Sequence, residues 1–459
     1  MKKYKFIKWF YVILLLIIPW RMTAQQEVIQ RIFREALTDY TAYHHLQWLT
    51  EHTAGRICST PEAAAAVEYT YQLMKQMDLD SVWLQPVQVR SWDRGEPETG
   101  RIISLNSGAI EVPVTALGWS IGTGNNGITA HVVEVRSKKE LQRLNRDSVA
   151  GKLVFFNQPM DPAAISTFSA YGGAVWQRTN GPVLAAKLGA AGCLIRSLSI
   201  EIDDIPHTGI TRYQEGVPKI PAVAVSTRAS NMLSRMLKSE PGLRFYFRTT
   251  CKEGPEMCSY NVIGEIRGAD HKNQFITIGG HLDAWDTGQG AQDDGGGCMQ
   301  AIEVLRLFKK LGITPRHTIR AVMFMDEEVA QRGGQMYAKT ADHKSEVHLA
   351  ALESDRGVFR PMALAVSGNK KQMNNLKKWA PLFKPYQISL VHGGGGTDVG
   401  PLKKYYPDLL LMGLIPDDQR YFTLHHSAAD RFETVNRREM QLGSAAIASL
   451  VYLFDQYGL

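Results

Sequence analysis

The sequence is short of several things, and each shortage closes off a class of explanation. It has only five cysteines, Cys58, Cys193, Cys251, Cys258 and Cys298, in 459 residues. None stands in a CxxC zinc pattern, and an odd number cannot all pair as disulfides. Cys251 and Cys258 are near enough in sequence to bridge, although spacing alone does not set the geometry. There is no low-complexity tract. There is also little excess of charge of one sign: 52 Lys and Arg face 45 Asp and Glu, a net +7. Five of those bases, Lys2, Lys3, Lys5, Lys8 and Arg21, lie in the first 24 residues with no acid beside them, so the remainder carries +2. No basic cluster is left that would argue for nucleic acid. The apolar run WFYVILLLIIPW is only 12 residues long, short for spanning a bilayer. Preceded by MKKYKFIK and followed by RMTA, it reads as a secretory signal peptide ending near Ala24. Export to the periplasm or beyond the cell is then expected, with no stable membrane anchor after cleavage.

What is present is organised in two textures. Residues 26–50 and 61–77 read as helical, the second opened by an N-cap threonine and a proline, Thr60-Pro61. SVWLQPVQVRSW (81–92) alternates as a strand. From about 105 to 249 short strands such as ITAHVVEV, GKLVFF, AAGCLIR and IPAVAV are separated by Gly, Pro and Asn turns. This middle stretch has no dense group of metal-type side chains and reads as an inserted domain. Beyond it, strands alternate with helices: FITIGG, then a helix with Cys298, Ile302, Leu305 and Phe308 along one face, then HTIRAVMFMDEE, VHLAALESD, MALAV, LLLMGLI and a last helix over 437–457. That order predicts an α/β fold with a doubly wound sheet, made of residues 25–104 and 250–459 and interrupted by residues 105–249.

Chemistry concentrates at the strand ends, where open α/β sheets place their ligands. FITIGG runs into His281. The glycine-rich segment GGHLDAWDTGQGAQDDGGG crowds Asp283, Asp286, Asp293 and Asp294 after it. VMFMD ends in Glu327 and Glu328, and AALES ends in Asp355. A later loop, FTLHHSAAD, adds His425 and His426. Each has a plainer explanation: Asp-Asp-Gly as a turn, a lone histidine as structural, paired glutamates as a helix start. Together they form a donor set of imidazoles and carboxylates suited to zinc. Two histidines and three carboxylates can hold two ions if one carboxylate bridges. The Glu327-Glu328 pair would then supply one ligand and one free base.

The segments GHLDAWDTGQGAQDDGGG, DEE, ESDRG and HHSAAD resemble the signatures of the co-catalytic di-zinc aminopeptidase/carboxypeptidase family. SWDRGEPE, LAAKLGAAGCLIRS and PHTGITRYQEGVPKIP extend that likeness over nearly the whole chain. The resemblance implies two Zn2+ per chain, held by His281, Asp293, Glu328, Asp355 and His426. It implies Asp293 as the bridging carboxylate, Asp283 as the acid orienting His281, and Glu327 as general base. It selects His426 over His425 because Ser427 and Asp430 complete a His-Ser/Thr-x-x-Asp pattern. It further implies a protease-associated-type insertion, a homodimer, and hydrolysis of dipeptides or short peptides. Two rivals share the fold: a single-zinc glutaminyl cyclase and a metal-free binding protein. Bound metal of two, one or none per chain separates them. Two departures stand out. Asp326 occupies a position where many relatives carry a small residue. The run Gly393–Gly396 is expected to form a mobile rim, because glycine favours mobility, with a tight turn as the alternative.

Overall fold

A computed structural model describes residues 24–459; the expected signal peptide lies outside them. Among the described residues no helix is long and apolar enough to cross a membrane. The chain builds two mixed eight-stranded sheets. The first is assembled from strands before and after the middle region, in the spatial order Ser81–Asp93, Lys252–Ile266, His317–Phe324, His271–His281, Val347–Glu353, Leu410–Pro416, Pro361–Val366, Ser389–His392. Its four central strands, from His317–Phe324 to Leu410–Pro416, run parallel. Their carboxyl ends therefore meet along one edge, which gathers His281, the Asp326–Glu328 turn and the Glu353–Asp355 segment.

Both faces of this sheet are covered, and the side-chain alternation shows how. In the central strand His317–Phe324, Ala321 and Met323 pack with the helices Thr41–His52, Gly296–Leu311 and Arg437–Tyr457. Val322 and Phe324 point the other way, onto Tyr337, Ala338 and Ala341 of the helix Arg332–His343. A strand buried on both faces has no polar alternation to show, which is why these strands read as continuous apolar runs. The expected stripe of Cys298, Ile302, Leu305 and Phe308 is fully inside. The first predicted helix is in fact two, 24–38 and Thr41–His52, broken where the Asp39 carboxylate accepts the Thr41 N–H.

The second sheet draws its strands from Thr99 to Arg248. It begins at Thr99–Ser104, six residues earlier than the sequence pattern indicated, because that strand pairs with Arg244–Arg248. Its middle strands are parallel and carry helices on both faces. Ala185 and Ala186 pack on Val154 and Phe156; Ala229 and Leu233 pack on Leu153 and Phe155. All five cysteines are free. Cys251 and Cys258 do not bridge because the Lys252–Ile266 strand holds the intervening chain extended, which separates them by roughly 20 Å at about 3.3 Å per residue.

Candidate active site

The glycine-rich segment is a rigid cradle whose side chains have separate tasks. Arg56 is completely buried beneath it and donates to the carbonyls of Leu282, Gln289 and Gly290 at 2.5–2.7 Å. Asp430 accepts the backbone N–H groups of Ala291, Gln292 and Asp293. Asp286 is drawn off into an ion pair with Arg94. Asp294 turns inward, accepting the His281 and Gly297 N–H groups. The Asp293–Asp294 peptide is cis. A Cβ at Gly297 would run into the Ser354 carbonyl and the Asp294 carboxylate, so the glycines there serve close packing.

This leaves Asp293 pointing at the strand ends. Its Oδ1 lies 3.2 Å from His281 Nε2, which is 3.6 Å from Asp355 Oδ1. Its Oδ2 lies 3.4 Å from His426 Nε2 and 3.7 Å from His425 Nε2. His426 Nε2 is in turn 3.0 Å from Glu328 Oε2. Asp293 therefore belongs to two donor groups, one with His281 and Asp355 and one with the histidine pair, each with donor atoms within 4.8 Å of one another. The structure brings all five sequence-predicted ligands together, with one carboxylate common to both groups.

The donor set fits divalent metal. Asp293 Oδ2 and Glu328 Oε1 are buried without a hydrogen-bond partner, a costly arrangement unless something positive satisfies them. Burial pushes the Glu328 carboxyl well above its usual range, and the nearby Asp293 charge adds to this. Burial drives His425 down to about 3 and His426 well below its ordinary value, so both are neutral imidazoles, the form that ligates metal. At His281 burial acts in the same direction but is outweighed by the Asp293 and Asp355 carboxylates, which favour positive charge at that point.

Glu327, the expected base, lies close by. Glu327 lines a cavity of about 310 Å³ together with Asp293, Glu328, Asp355, His425 and His426. Burial pushes its carboxyl up to about 8, with Asp355 and Asp283 raising it further against His281. Asp283 orients the His281 ring through its main-chain carbonyl, 2.8 Å from Nδ1, while its carboxylate stands 3.9 Å away. That carboxylate instead accepts the Glu327 and Glu328 N–H groups and so holds the glutamate turn in place. Asp326 faces away from the cavity. It is fully buried, at a positive φ of 73°, and its carboxylate accepts the Cys58 thiol and the Arg332 N–H. Its side chain belongs to the core wall, not to the base.

The glycine run is a closely packed connection that leads into a turn at residues 397–399. Gly393, Gly394 and Gly395 have φ of 138°, 100° and 115°, a region that side chains disfavour. A Cβ at Gly394 would crowd the backbone of Leu411 and Met412, and one at Gly396 would strike Glu353. Glu353 accepts three N–H groups, from Thr397, Asp398 and Val399. The second sheet's region also reaches the site, which its sequence did not disclose. Thr208 donates its N–H to the His426 carbonyl, and His207 Nδ1 lies 2.7 Å from the His425 carbonyl. Arg178 contacts His426 Nδ1 at 3.2 Å.

Residues 261–451 match the model of peptidase family M28. The chain is 34% identical to carboxypeptidase Q of Bos taurus over 414 residues, 90% of this chain and 84% of that one. It is 34% identical to carboxypeptidase Q of Homo sapiens over 415 residues, with the same coverage. The chain belongs to peptidase family M28. Membership makes it a zinc metallopeptidase, and carboxypeptidase Q is the subgroup toward which SWDRGEPE and its companion segments point. The crystal structure of a peptidase M28 precursor from Shewanella amazonensis SB2B superposes with a TM-score of 0.90 at 28% identity, over 95% of this chain and 98% of that one. A zinc aminopeptidase from Bacillus subtilis shares the fold, with a TM-score of 0.63 at 18% identity over 90% of this chain and 94% of its own.

Proposed function

We propose that the protein is an exported di-zinc exopeptidase that hydrolyses dipeptides or short peptides. The observation that carries this reading is Asp293: one buried carboxylate shared by two donor groups, with Glu327 on the wall of the same cavity. His281 and Asp355 would hold one zinc, Glu328 and His426 the other, with Asp293 between them. Bound zinc would polarise the scissile carbonyl and make an attacking water more acidic. Glu327 takes the proton of that water and delivers it to the leaving amine, which its place on the cavity wall allows. Asp283 keeps the glutamate turn aligned.

The division into a catalytic unit, residues 25–104 and 250–459, and a protease-associated-type insertion, residues 105–249, belongs to this reading, with the Thr99–Ser104 strand joining the insertion's sheet. Export rests on the basic-apolar leader before Ala24, and a homodimer on the family resemblance. The test is a panel of dipeptides assayed with and without chelator on the mature protein, together with zinc content. Two zincs per chain and chelator-sensitive cleavage are expected. One zinc with cyclisation of N-terminal glutamine, or no metal and no turnover, would overturn it.

A further inference from the structure

Trp285 stands in the glycine-rich segment between His281 and Asp293, and its indole joins two parts of the molecule that are far apart in sequence. The side chain is buried. Its Nε1–H donates to Glu328 Oε2 at 2.6 Å. The opposite edge of the ring lies on Gly118, in the region of the second sheet, where a Cβ would overlap the Trp285 Cη2 and Cζ3 atoms. Gly118 is itself fixed: its N–H donates to the Gly209 carbonyl, and its carbonyl accepts the Thr211 N–H. Beside it, the buried Trp119 meets the Trp285 ring edge to face, with centroids 6.5 Å apart, and is held at a positive φ of 62°. A bulky residue adopts that conformation only where its surroundings impose it.

Glu328 needs such a fixture. Its carboxylate is buried, and Oε1 has no hydrogen-bond partner. Apart from the His426 ring, whose Nε2 is 3.0 Å from Oε2, Trp285 brings the only donor to it among the described residues. If His426 Nε2 gives its lone pair to a cation, it has no proton for Glu328, and the indole N–H is the one donor left. A carboxylate turns about its last carbon–carbon bond. One N–H on a desolvated carboxylate decides which lone pairs face the cavity. Oε1 is then free for the cation. Tryptophan suits this task because it donates once, accepts nothing, and has a rigid apolar body that can rest on a second element. The same ring also lies 5.6 Å from that of His426, so it borders both side chains of that donor group.

We propose that Trp285 is a positioning residue for one ion of the metal pair: it fixes the Glu328 carboxylate, and the Gly118–Trp119 corner of the second sheet's region fixes Trp285. That region thereby sets the affinity of the cation site containing Glu328 and His426. The site containing His281 and Asp355 has its own support, the Asp283 carbonyl at His281 Nδ1. The assignment rests on the di-zinc reading above and adds which part of the chain controls which ion.

The experiment withdraws zinc from the mature protein with a chromophoric chelator and follows the two ions as separate steps. Asp355→Asn, which takes a ligand from the other site, identifies the steps. The wild type is compared with Trp285→Phe, with Gly118→Ala, and with a protein carrying benzothienylalanine at Trp285, in which sulfur replaces the indole N–H. That isostere keeps the ring's size and contacts, so its metal-free form should unfold at the wild-type midpoint. It should hold one zinc as the wild type does and the other about 10- to 100-fold more weakly. Trp285→Phe should show the same split. Gly118→Ala, which displaces the ring without altering the glycine-rich segment, should weaken the same zinc. With cobalt(II) in place of zinc, the absorption of one ion should change in the isostere and that of the other should not. Two unchanged affinities in the isostere overturn the assignment, as does equal weakening of both, which marks a general structural role. A folded Gly118→Ala protein with wild-type affinities overturns the part given to the second sheet's region. A wild type that binds fewer than two zincs would instead sink the di-zinc reading itself.

Discussion

Two clusters of buried charge sit on the same sheet, and they are opposites. Toward the amino-terminal ends of the parallel strands, Arg320 is held between Glu265 and Glu346 at 3.0 and 2.8 Å, with His348 beside Glu346 at 3.1 Å. This cluster is closed. Burial alone would raise Glu346, but hydrogen bonds from His348 and Arg320 outweigh it and hold the carboxyl at about 2. At the carboxyl ends the acids outnumber any cation near them. Burial pushes Glu327 up to about 8, Glu353 to about 7 and Asp430 to about 7, and neighbouring carboxylates add to the rise. The difference teaches what each cluster is for. A buried charge set whose carboxylates are held by a shared arginine and hydrogen bonds serves the fold, while one left short of positive charge is built for a partner from outside.

The comparison can be broken most directly at its open end. Asp293→Ala removes the carboxylate shared by both donor groups, and zinc content should fall with activity lost to background. Glu327→Gln should keep both zincs and lower kcat by about 10³-fold; a fully active Gln variant would remove Glu327 as base. The closed cluster should answer in stability instead. Arg320→Met strands Glu265 and Glu346 and should cost about 3–5 kcal/mol of unfolding free energy, with zinc content in the folded fraction unchanged. Loss of zinc there would mean the two clusters are coupled.

The pH dependence of the closed cluster follows from its sign. Glu346 titrates at about 2 when folded against an ordinary 4.5, so its contribution is complete above pH 4.5 and drains away as pH falls toward 2. Wild-type stability should drop by about 3 kcal/mol more than that of Glu346→Gln across that window, followed by chemical denaturation; parallel curves would contradict it. The smallest effect is expected at Asp326. Its carboxyl faces Cys58, so Asp326→Asn should change kcat by only about 2-fold, since a side chain outside the cavity leaves transition-state contacts intact. A large change would return Asp326 to the base's environment.

Much of the site was legible because its chemistry is local. His281 ends an apolar strand, Glu327, Glu328 and Asp355 follow others by a few residues, Asp293 lies in the glycine-rich loop after His281, and strand ends on one edge must meet. The supporting groups were not legible. Nothing in the residues around Arg56 says that its guanidinium will cap three carbonyls some 230 positions further on. Asp283 was read as the acid that orients a ring, yet its carbonyl does that and its carboxylate holds the next strand's turn. The Gly393–Gly396 run has the same composition whether mobile or packed, and only the approach of Glu353 and Leu411 shows it to be packed.

The sequence by itself determined the alternation of strands and helices, the two-part organisation and the metal-type donors, because periodicity and side-chain chemistry are properties of the chain read in order. Only the tertiary structure decided which carboxylates are shared, which are diverted to arginines, and that Arg178 from the second sheet's region stands over His426. Those outcomes depend on distances between residues far apart in sequence, and on burial that no single segment carries.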